Sequence, residues 1–272
     1  MHDFMSYSNY YKSSGLFHGS ISSVMGTQLD VLMIGEDSVK LTLIWERIQQ
    51  EITRLDKMLN RFDQESEVYF LNQTASIYPV SVSEELWTIL QDCKRYFELT
   101  RGSFDITLQG FEHVLFEEVE HSVFFLSESL QVDLGGYGKG YALSKIEILL
   151  KENDVDNALV NFGNSSILAV GRHSFGEYWP VGLDNPYTKE HLDDIKLCNQ
   201  SLSISGNMPS HLRHIVDPKT GLFIEGKKMV SVVAKDPIVA EVLTTVFMIV
   251  EEEAISDIAS YFDIYEKQIY ML

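Results

Sequence analysis

One glycine-rich segment has the composition of an anion-binding loop. Residues 133–141 read Asp-Leu-Gly-Gly-Tyr-Gly-Lys-Gly-Tyr and directly precede a predicted helix. Glycine lets the backbone approach a ligand closely, and the free amides of a helix N-terminus favour an anion such as phosphate. The spacing matches neither the Walker loop nor the G-x-G-x-x-G fingerprint. A tight strand-to-helix turn carrying a solvated Lys139 therefore remains an alternative.

A histidine stands next to a turn sequence in the C-terminal half. His214 precedes an Asp-Pro-Lys-Thr-Gly run at residues 217–221, and Ser205-Gly206 lies shortly before it. Asp-Pro-x-x-Gly is typical of a turn, and a histidine beside it has the chemistry of a general base or a metal ligand. A purely structural histidine is the alternative. The chain has no H-E-x-x-H motif, which argues against a zinc protease of that type.

Two further clusters carry oxygen donors. Glu241 and Thr245 are four residues apart, so a helix places both on one face, where a carboxylate and a hydroxyl suit magnesium. The alternative is the polar edge of a buried helix. Asp105 lies in the run Gly-Ser-Phe-Asp-Ile-Thr at 102–107, which by itself indicates only the start of a strand after a helix cap.

The apolar pattern predicts the elements that position these clusters. Ile44, Ile48, Ile52, Leu55 and Leu59 recur at helical spacing and predict a helix over 38–60. A second helix opens after a Ser-Val-Ser-Glu capping sequence at 81–84 and ends at Gly102. Further helices are predicted at 141–151, 238–250 and 252–262, and strands at 29–35, 158–161, 167–171, 179–183, 201–205, 230–234 and 268–272. This mixture predicts one α+β domain with a partly antiparallel sheet.

Composition limits the partners. The 272 residues include 45% hydrophobic residues and carry a net charge of -19, which disfavours binding to nucleic acid or to anionic lipid. We expect no membrane insertion, because no apolar run approaches the ~20 residues of a membrane span. The N-terminus lacks the pattern of a signal peptide, so we expect a cytoplasmic protein with a flexible tail over 1–18 and one domain over 19–272. Cys93 is expected in the core.

The clusters, taken in order, resemble the ApbE family, the FAD:protein FMN transferases of bacteria. The pieces that carry the resemblance are Met-Gly-Thr at 25–27, LNRFDQESEVYFLN, TRGSFDIT, DLGGYGKGY, ALVNFG, WPVGLDNP, SISG, HIVDPKTG and AEVLTT. Each piece is weak alone, but nine in this order are specific. The family has glutamate's shorter homologue, aspartate, where Glu241 stands.

The resemblance implies a single α+β domain that binds FAD with Mg2+, cleaves its pyrophosphate, transfers FMN to a threonine of a target flavoprotein and releases AMP. It implies that His214 is the catalytic base and that Glu241 and Thr245 hold the magnesium. The implied FAD-binding residues are Met25, Asp105, Gly135, Gly136, Gly138, Lys139, Ser205 and Gly206.

Three other readings stay open at this point. The chain is alternatively an FAD pyrophosphatase that gives FMN and AMP, or a catalytically weak FAD-binding relative that stores or delivers flavin or binds a partner. It is also open to being a domain with no role in flavin chemistry. The shortened segment at 108–132 and the glutamate at 241 are the features that bear on the choice.

Overall fold

A computed structural model describes residues 5–209 and 215–272. The helices in these residues are α1 (Ser38–Leu59), α2 (Glu67–Thr74), α3 (Glu84–Leu99), α4 (Gly138–Glu152), α5 (Pro237–Ile249) and α6 (Glu252–Ala259). The strands are β1 (Ser6–Tyr11), β2 (Leu16–Val24), β3 (Thr27–Ile34), β4 (Val80–Ser81), β5 (Val114–Glu117), β6 (Ser122–Phe125), β7 (Ala158–Phe162), β8 (Ser166–Val170), β9 (Trp179–Asp184), β10 (His191–Leu197), β11 (Gln200–Gly206), β12 (Lys228–Ala234) and β13 (Ile264–Met271).

One eight-stranded antiparallel sheet organises the molecule. Its strand order is β1-β2-β3-β7-β8-β11-β12-β13. Strand β11 lies between β8 and β12, with Ser203 opposite Ser166 on one side and Val232 on the other. Two smaller sheets have the orders β10-β9 and β4-β6-β5. The prediction of one α+β domain with an antiparallel sheet is confirmed.

The two faces of the sheet are covered differently. Helices α1, α4 and α5 pack on one face, where buried residues such as Ile48 and Val242 form the larger core. A second core contains residues of the β9–β10 hairpin, including Trp179, together with Leu202 and Ile204 of β11. Because side chains alternate along a strand, the serines at 201, 203 and 205 point away from that second core, towards α5.

Short polar side chains fix where the helices begin. Asp37 accepts hydrogen bonds from the amides of Val39 and Lys40, both at 3.0 Å, and starts α1. Ser83, the second serine of the predicted capping sequence, accepts from the Leu86 amide at 3.2 Å and starts α3. After α3 the chain reverses at Gly102, whose φ of +77° favours glycine, as predicted.

The expected flexible tail at 1–18 is wrong for most of its length. Residues 6–11 form β1, which pairs with β2 in a register that joins Ser6 to Ile21 and Tyr11 to Leu16. Phe17 of β2 is 1% exposed and belongs to the larger core. Strand β1 lies at the edge of the sheet and is largely exposed, so it carries no apolar face that the sequence pattern would reveal.

The structure also bears on the position of Cys93 and on the character of the helices. Cys93 is 1% exposed in the larger core, and burial raises the pKa of its thiol, so the expected core position is confirmed. Among the described helices, none combines the length and apolarity that crossing a membrane requires.

A carboxylate holds three helices together. Glu85 of α3 accepts hydrogen bonds from Arg54 of α1 at 2.6 Å and from the Tyr141 hydroxyl of α4 at 2.8 Å, and Lys145 lies 3.2 Å away. Burial acts to raise the pKa of Glu85, but the three donors together lower it to about 2. The ion pairs therefore stabilise the fold above the pKa of an unfolded glutamate and are lost as the pH falls through the folded value.

We expect Glu85→Gln to lower the free energy of unfolding by about 1–2 kcal/mol at pH 7, because solvent partly screens this site. The difference from the unmodified protein should shrink between about pH 5 and pH 2, where Glu85 becomes protonated. Urea denaturation across that range measures it. Glu84→Gln, at the exposed neighbouring position of the same first turn, is the control. A pH-independent difference would contradict this account.

Candidate functional site

The glycine-rich segment is anchored on both sides before it enters α4. The Asn72 side chain makes two hydrogen bonds to the backbone of Val132, at 2.7 and 2.9 Å. The Asp133 amide donates to the carbonyl of Ile106 at 2.7 Å, which ties the segment to the run around Asp105. Helix α4 begins at Gly138, three residues before the predicted start. The loop is thus held rigidly and not displayed as a free turn.

A buried tyrosine fixes the first turn of α4. Tyr137 is 1% exposed, and its hydroxyl donates to Asp92 of α3 at 2.8 Å. Burial raises the pKa of Tyr137 far above that of a free phenol, so the group stays a neutral donor. This contact holds the loop and the helix start against α3.

Glycines allow close approach at three positions of the segment. A methyl group on Gly136 would lie 3.6 Å from the Thr245 hydroxyl, and one on Gly138 would lie 3.0 Å from the end of Met25. On Gly140 it would lie 2.8 Å from the carbonyl oxygen of Pro237, closer than real contacts allow. Gly140 is therefore where α4 and α5 come together.

This helix contact joins two of the predicted site residues. Lys139 Nζ donates to Oε1 of Glu241 in α5. The other carboxylate oxygen, Oε2, accepts from the Ser166 hydroxyl and, at 3.1 Å, from the Ser203 hydroxyl. The Glu241 side chain is 6% exposed and that of Lys139 is 21% exposed. A buried carboxylate is thus surrounded by three donors, one of them cationic.

Hydroxyl groups extend this cluster along β11. A hydrogen bond of 3.2 Å joins Ser203 to Thr244, and Ser205 donates to Thr244 at 3.0 Å. Thr244 also donates to the carbonyl of Glu241 at 2.9 Å. Ser166, Ser203 and Thr244 were not among the predicted site residues. The alternating serines of Ser-Leu-Ser-Ile-Ser at 201–205, together with the polar positions of α5, are the signal that would have indicated Ser203 and Thr244.

Met25 reaches the cluster from a turn between β2 and β3. Its φ is +46°, a left-handed conformation that is uncommon outside glycine, and Gly26 follows with +76°. The Met25 amide donates to Asp56 of α1 at 3.0 Å, which holds the turn in place. This arrangement sets the end of the Met25 side chain beside Gly138. The structure thus brings Met25, Gly136, Gly138, Lys139, Glu241 and Thr245 together.

Asp105 organises its own loop. Its Oδ1 accepts from the Thr107 amide at 2.7 Å and the Thr107 hydroxyl at 2.6 Å, and its Oδ2 accepts from the amides of Gly110 and Phe111 at 3.1 and 3.3 Å. The residue is 8% exposed. Each carboxylate oxygen is thus engaged twice within the loop, and contact with a nucleotide remains a prediction for this residue.

We expect Asp105→Ala to lower the free energy of unfolding by about 2–3 kcal/mol, because three backbone amides lose a buried acceptor. Urea denaturation followed by tryptophan fluorescence measures the loss. Asp217→Ala is the matched control, since Asp217 accepts from the Lys219 amide and the Thr220 hydroxyl in a similar but exposed turn. Equal losses for the two variants would show that burial of the Asp105 loop is not what makes its carboxylate important.

The remaining predicted residues belong to the end of β11, to the segment that follows it and to the glycine-rich turn. Gly206 packs against β12, where an added methyl group would lie 3.0 Å from the carbonyl oxygen of Lys228. The predicted turn at 217–221 is present, closed by a 2.8 Å hydrogen bond from the Gly221 amide to the Asp217 carbonyl. His214 lies outside the described residues. Gly135 donates its amide to Asp133 at 2.9 Å in the glycine-rich turn.

The oxygen donors at Glu241 suit a magnesium ion under one condition. Magnesium sites at nucleotides use one or two carboxylates, with phosphates and water completing the octahedron. Glu241 supplies a carboxylate, and the Thr245 hydroxyl, one turn later, has no hydrogen bond to the described residues. Within those residues no cluster of three or more His, Cys, Asp or Glu forms a metal site by itself. The donor set fits magnesium together with phosphate oxygens, once Lys139 leaves Glu241.

Two cavities lie outside the Lys139–Glu241 cluster. One, of about 580 Å3, opens between the Asp105 loop and the turn at 217–221 and is lined by Phe97, Arg101, Gly102, Asp105, Gln109, Gly110, Glu112, His113, Pro218 and Lys219. The other, of about 670 Å3, lies at the C-terminal end of α5 beside Lys228. Neither is lined by Lys139 or Glu241, so the smaller cavity is the one connected with a predicted site residue.

The chain is similar in sequence to known proteins. The sequence matches the ApbE family over residues 25–120 and 108–266. An FAD:protein FMN transferase of Klebsiella pneumoniae is 24% identical over 73% of this chain and 73% of its own length. One of Escherichia coli K12 is 23% identical over 86% of this chain and 78% of its own length.

Solved structures share the fold. The flavin transferase ApbE of Vibrio cholerae superposes with a TM-score of 0.79 at 20% identity, covering 98% of this chain and 97% of that one. The ApbE protein of Thermotoga maritima gives a TM-score of 0.77 at 22% identity, covering 95% and 90%. The family match spans most of the chain, including both helices that carry the Lys139–Glu241 pair. The chain therefore belongs to the ApbE family.

Proposed function

We propose that this protein is a magnesium-dependent FAD:protein FMN transferase that moves FMN onto a threonine hydroxyl of a target flavoprotein and releases AMP. The observation that carries the proposal is the meeting of Lys139 and Glu241, 102 residues apart, at the N-terminus of α4 beside Thr245. A cation at a helix N-terminus suits a pyrophosphate, and a buried carboxylate beside it suits the divalent cation that accompanies the phosphates. The names of the relatives support FAD as the molecule that contains this pyrophosphate.

The proposed reaction is one displacement at phosphorus. The threonine oxygen of the acceptor forms a bond to the phosphorus of the FMN half of FAD. The bond from that phosphorus to the bridging oxygen breaks, and the bridging oxygen and its electron pair leave with AMP. The hydroxyl proton passes to His214, the proposed base. Water in place of threonine would give free FMN and AMP.

The chain's own groups would position and neutralise the nucleotide. Lys139 would hold the pyrophosphate, since a chain of net charge -19 needs local positive charge there, and the glycines at 135, 136 and 138 would let the backbone approach it. Met25, Asp105, Ser205 and Gly206 would line the nucleotide pocket. Glu241 and Thr245 would hold magnesium, which when bound offsets charge on the phosphates.

One observation favours a second candidate, a catalytically weak FAD-binding relative. Both oxygens of Glu241 are engaged, by Lys139, Ser166 and Ser203, so the carboxylate is not free for a metal in this arrangement. Such a protein would bind FAD and release no AMP. A pyrophosphatase would release AMP and FMN without any acceptor.

The purified chain with FAD and Mg2+ decides among these functions. The mixture is tested alone, with a flavin-free acceptor flavoprotein, and with that acceptor carrying a Thr→Ala change, and AMP and FMN are separated by chromatography. Acceptor-dependent AMP release with covalent flavin on the intact acceptor supports the transferase. AMP with free FMN in every mixture supports the pyrophosphatase, and FAD binding without AMP supports the weak relative. EDTA should stop the first two reactions.

A further inference from the structure

The partner of Glu241 suggests an order of binding at the site, an inference that rests on the proposed function. We infer that Lys139 is a resident counter-ion that blocks Glu241 in the free protein, so that a divalent cation binds there only after nucleotide draws Lys139 away. The two ligands would thus bind in sequence, nucleotide first. The inference concerns this chain's own pair and follows from its contacts.

The geometry leaves one carboxylate oxygen for a cation. Oε2 of Glu241 accepts from Ser166 and Ser203, which belong to the strands β8 and β11 of the central sheet. Oε1 accepts from Lys139. A divalent cation at Oε1 would meet the Lys139 ammonium at hydrogen-bond distance, and two cations cannot share that position in a largely buried place. Binding of the metal therefore requires movement of Lys139.

Lys139 is the partner able to move. Its ammonium ends a flexible four-carbon stem, and its side chain is 21% exposed, whereas that of Glu241 is 6% exposed. Lys139 stands in the first turn of α4, where the positive end of the helix dipole attracts an anion. A pyrophosphate at that helix start would offer Lys139 a second anionic partner besides Glu241. Glu241 would then be open to the cation.

Such an exchange couples the two ligands. Each ligand raises the affinity of the protein for the other by the same factor, because the coupling free energy is reciprocal. Removing the Lys139 charge should replace this coupling by direct access. The variant would bind a divalent cation without nucleotide, which the unmodified protein would do only weakly.

Titration with Mn2+ alone tests this, with free aqueous Mn2+ counted by electron paramagnetic resonance and no nucleotide present. We expect Lys139→Met to bind Mn2+ at least tenfold more tightly than the unmodified chain. Lys151→Met removes one positive charge from the exposed end of the same helix, where Lys151 pairs with Glu147, and should behave like the unmodified chain. Lys139→Gln, which keeps a neutral donor, serves if the methionine variant does not fold.

Either of two results would overturn the inference. One is tight Mn2+ binding by the unmodified protein without nucleotide. The other is no gain in affinity in a folded variant at position 139. The test is separate from the proposed function, because it needs no FAD turnover. A gain in Mn2+ affinity with no AMP release from FAD by the unmodified chain would support the exchange and remove the transferase activity.

Discussion

The Lys139→Met variant should lose about 3 kcal/mol of its free energy of unfolding and transfer FMN on the order of 1,000-fold more slowly. The substitution leaves Glu241, a carboxylate that is 6% exposed, without its cationic partner. Breaking a buried ion pair costs about 3–5 kcal/mol. The hydroxyls of Ser166 and Ser203 remain as donors, which places the loss at the lower end. The rate of FMN transfer falls because the pyrophosphate loses the Lys139 ammonium as its cationic partner.

Removing the charge of the other partner, in Glu241→Gln, should lower the free energy of unfolding by less. In Glu241→Gln the ammonium of Lys139 is left alone, but its side chain is 21% exposed and reaches water, so we expect a loss of about 1–2 kcal/mol. Urea denaturation in EDTA, followed by tryptophan fluorescence, compares the variants. Lys151→Met, at a side chain that is 62% exposed, should change stability by less than about 0.5 kcal/mol. A larger loss in Glu241→Gln than in Lys139→Met would show that Lys139 is the fixed partner.

Five of the six described helices were predicted, most clearly those with a continuous apolar face, whereas the short helix α2 was missed. The residues named at helical spacing between 44 and 59 are all buried in α1. The helix predicted between the capping sequence at 81–84 and Gly102 matches α3 closely, and the one predicted at 238–250 matches α5. Period alone specifies such a face, since burial of the stripe outweighs local preferences. Most predicted strands that lie in the middle of the sheet are apolar because they are buried.

The edges of the molecule were not predictable in this way. Strand β1 reads Ser-Tyr-Ser-Asn-Tyr-Tyr and is largely exposed, so its hydrophobicity does not separate it from a loop. Strand β10 contains two consecutive aspartates and is ordered by pairing with β9. Both strands pair with the neighbouring strand of a hairpin, and strand propensity alone does not reveal such pairing for polar sequences.

The contact between Lys139 and Glu241 could not be predicted from the sequence. Lys139 and Glu241 were each assigned by resemblance, one to the nucleotide and the other to magnesium. Their ion pair depends on the close approach of α4 and α5 at Gly140, which is a tertiary contact across 102 residues. Glycine at 140 is necessary for that approach. The sequence alone does not distinguish Gly140 from the three neighbouring glycines as the site of that contact.

His214→Ala should slow FMN transfer by about 100- to 10,000-fold and leave FAD affinity within about twofold of the unmodified value. The reason is the role assigned to His214, which removes the proton of the incoming threonine hydroxyl and makes no anchoring contact with the nucleotide. Transfer is measured as covalent flavin on the acceptor, and affinity by titration calorimetry with FAD and Mg2+. FMN transfer to an added nucleophile that is already ionised should be slowed much less by the substitution, because that nucleophile needs no base.

His191→Ala is the matched control for this experiment. His191 lies on the exposed β9–β10 hairpin, between Asp184 at 3.3 Å and Asp194 at 3.2 Å, and is not among the proposed site residues. Its removal should leave transfer unchanged. If His214→Ala abolishes FAD binding, His214 anchors the nucleotide and the base is another group. If His214→Ala transfers FMN at the unmodified rate, His214 has no part in the reaction. Only loss of transfer with retained binding, confined to His214, agrees with proton removal as its role.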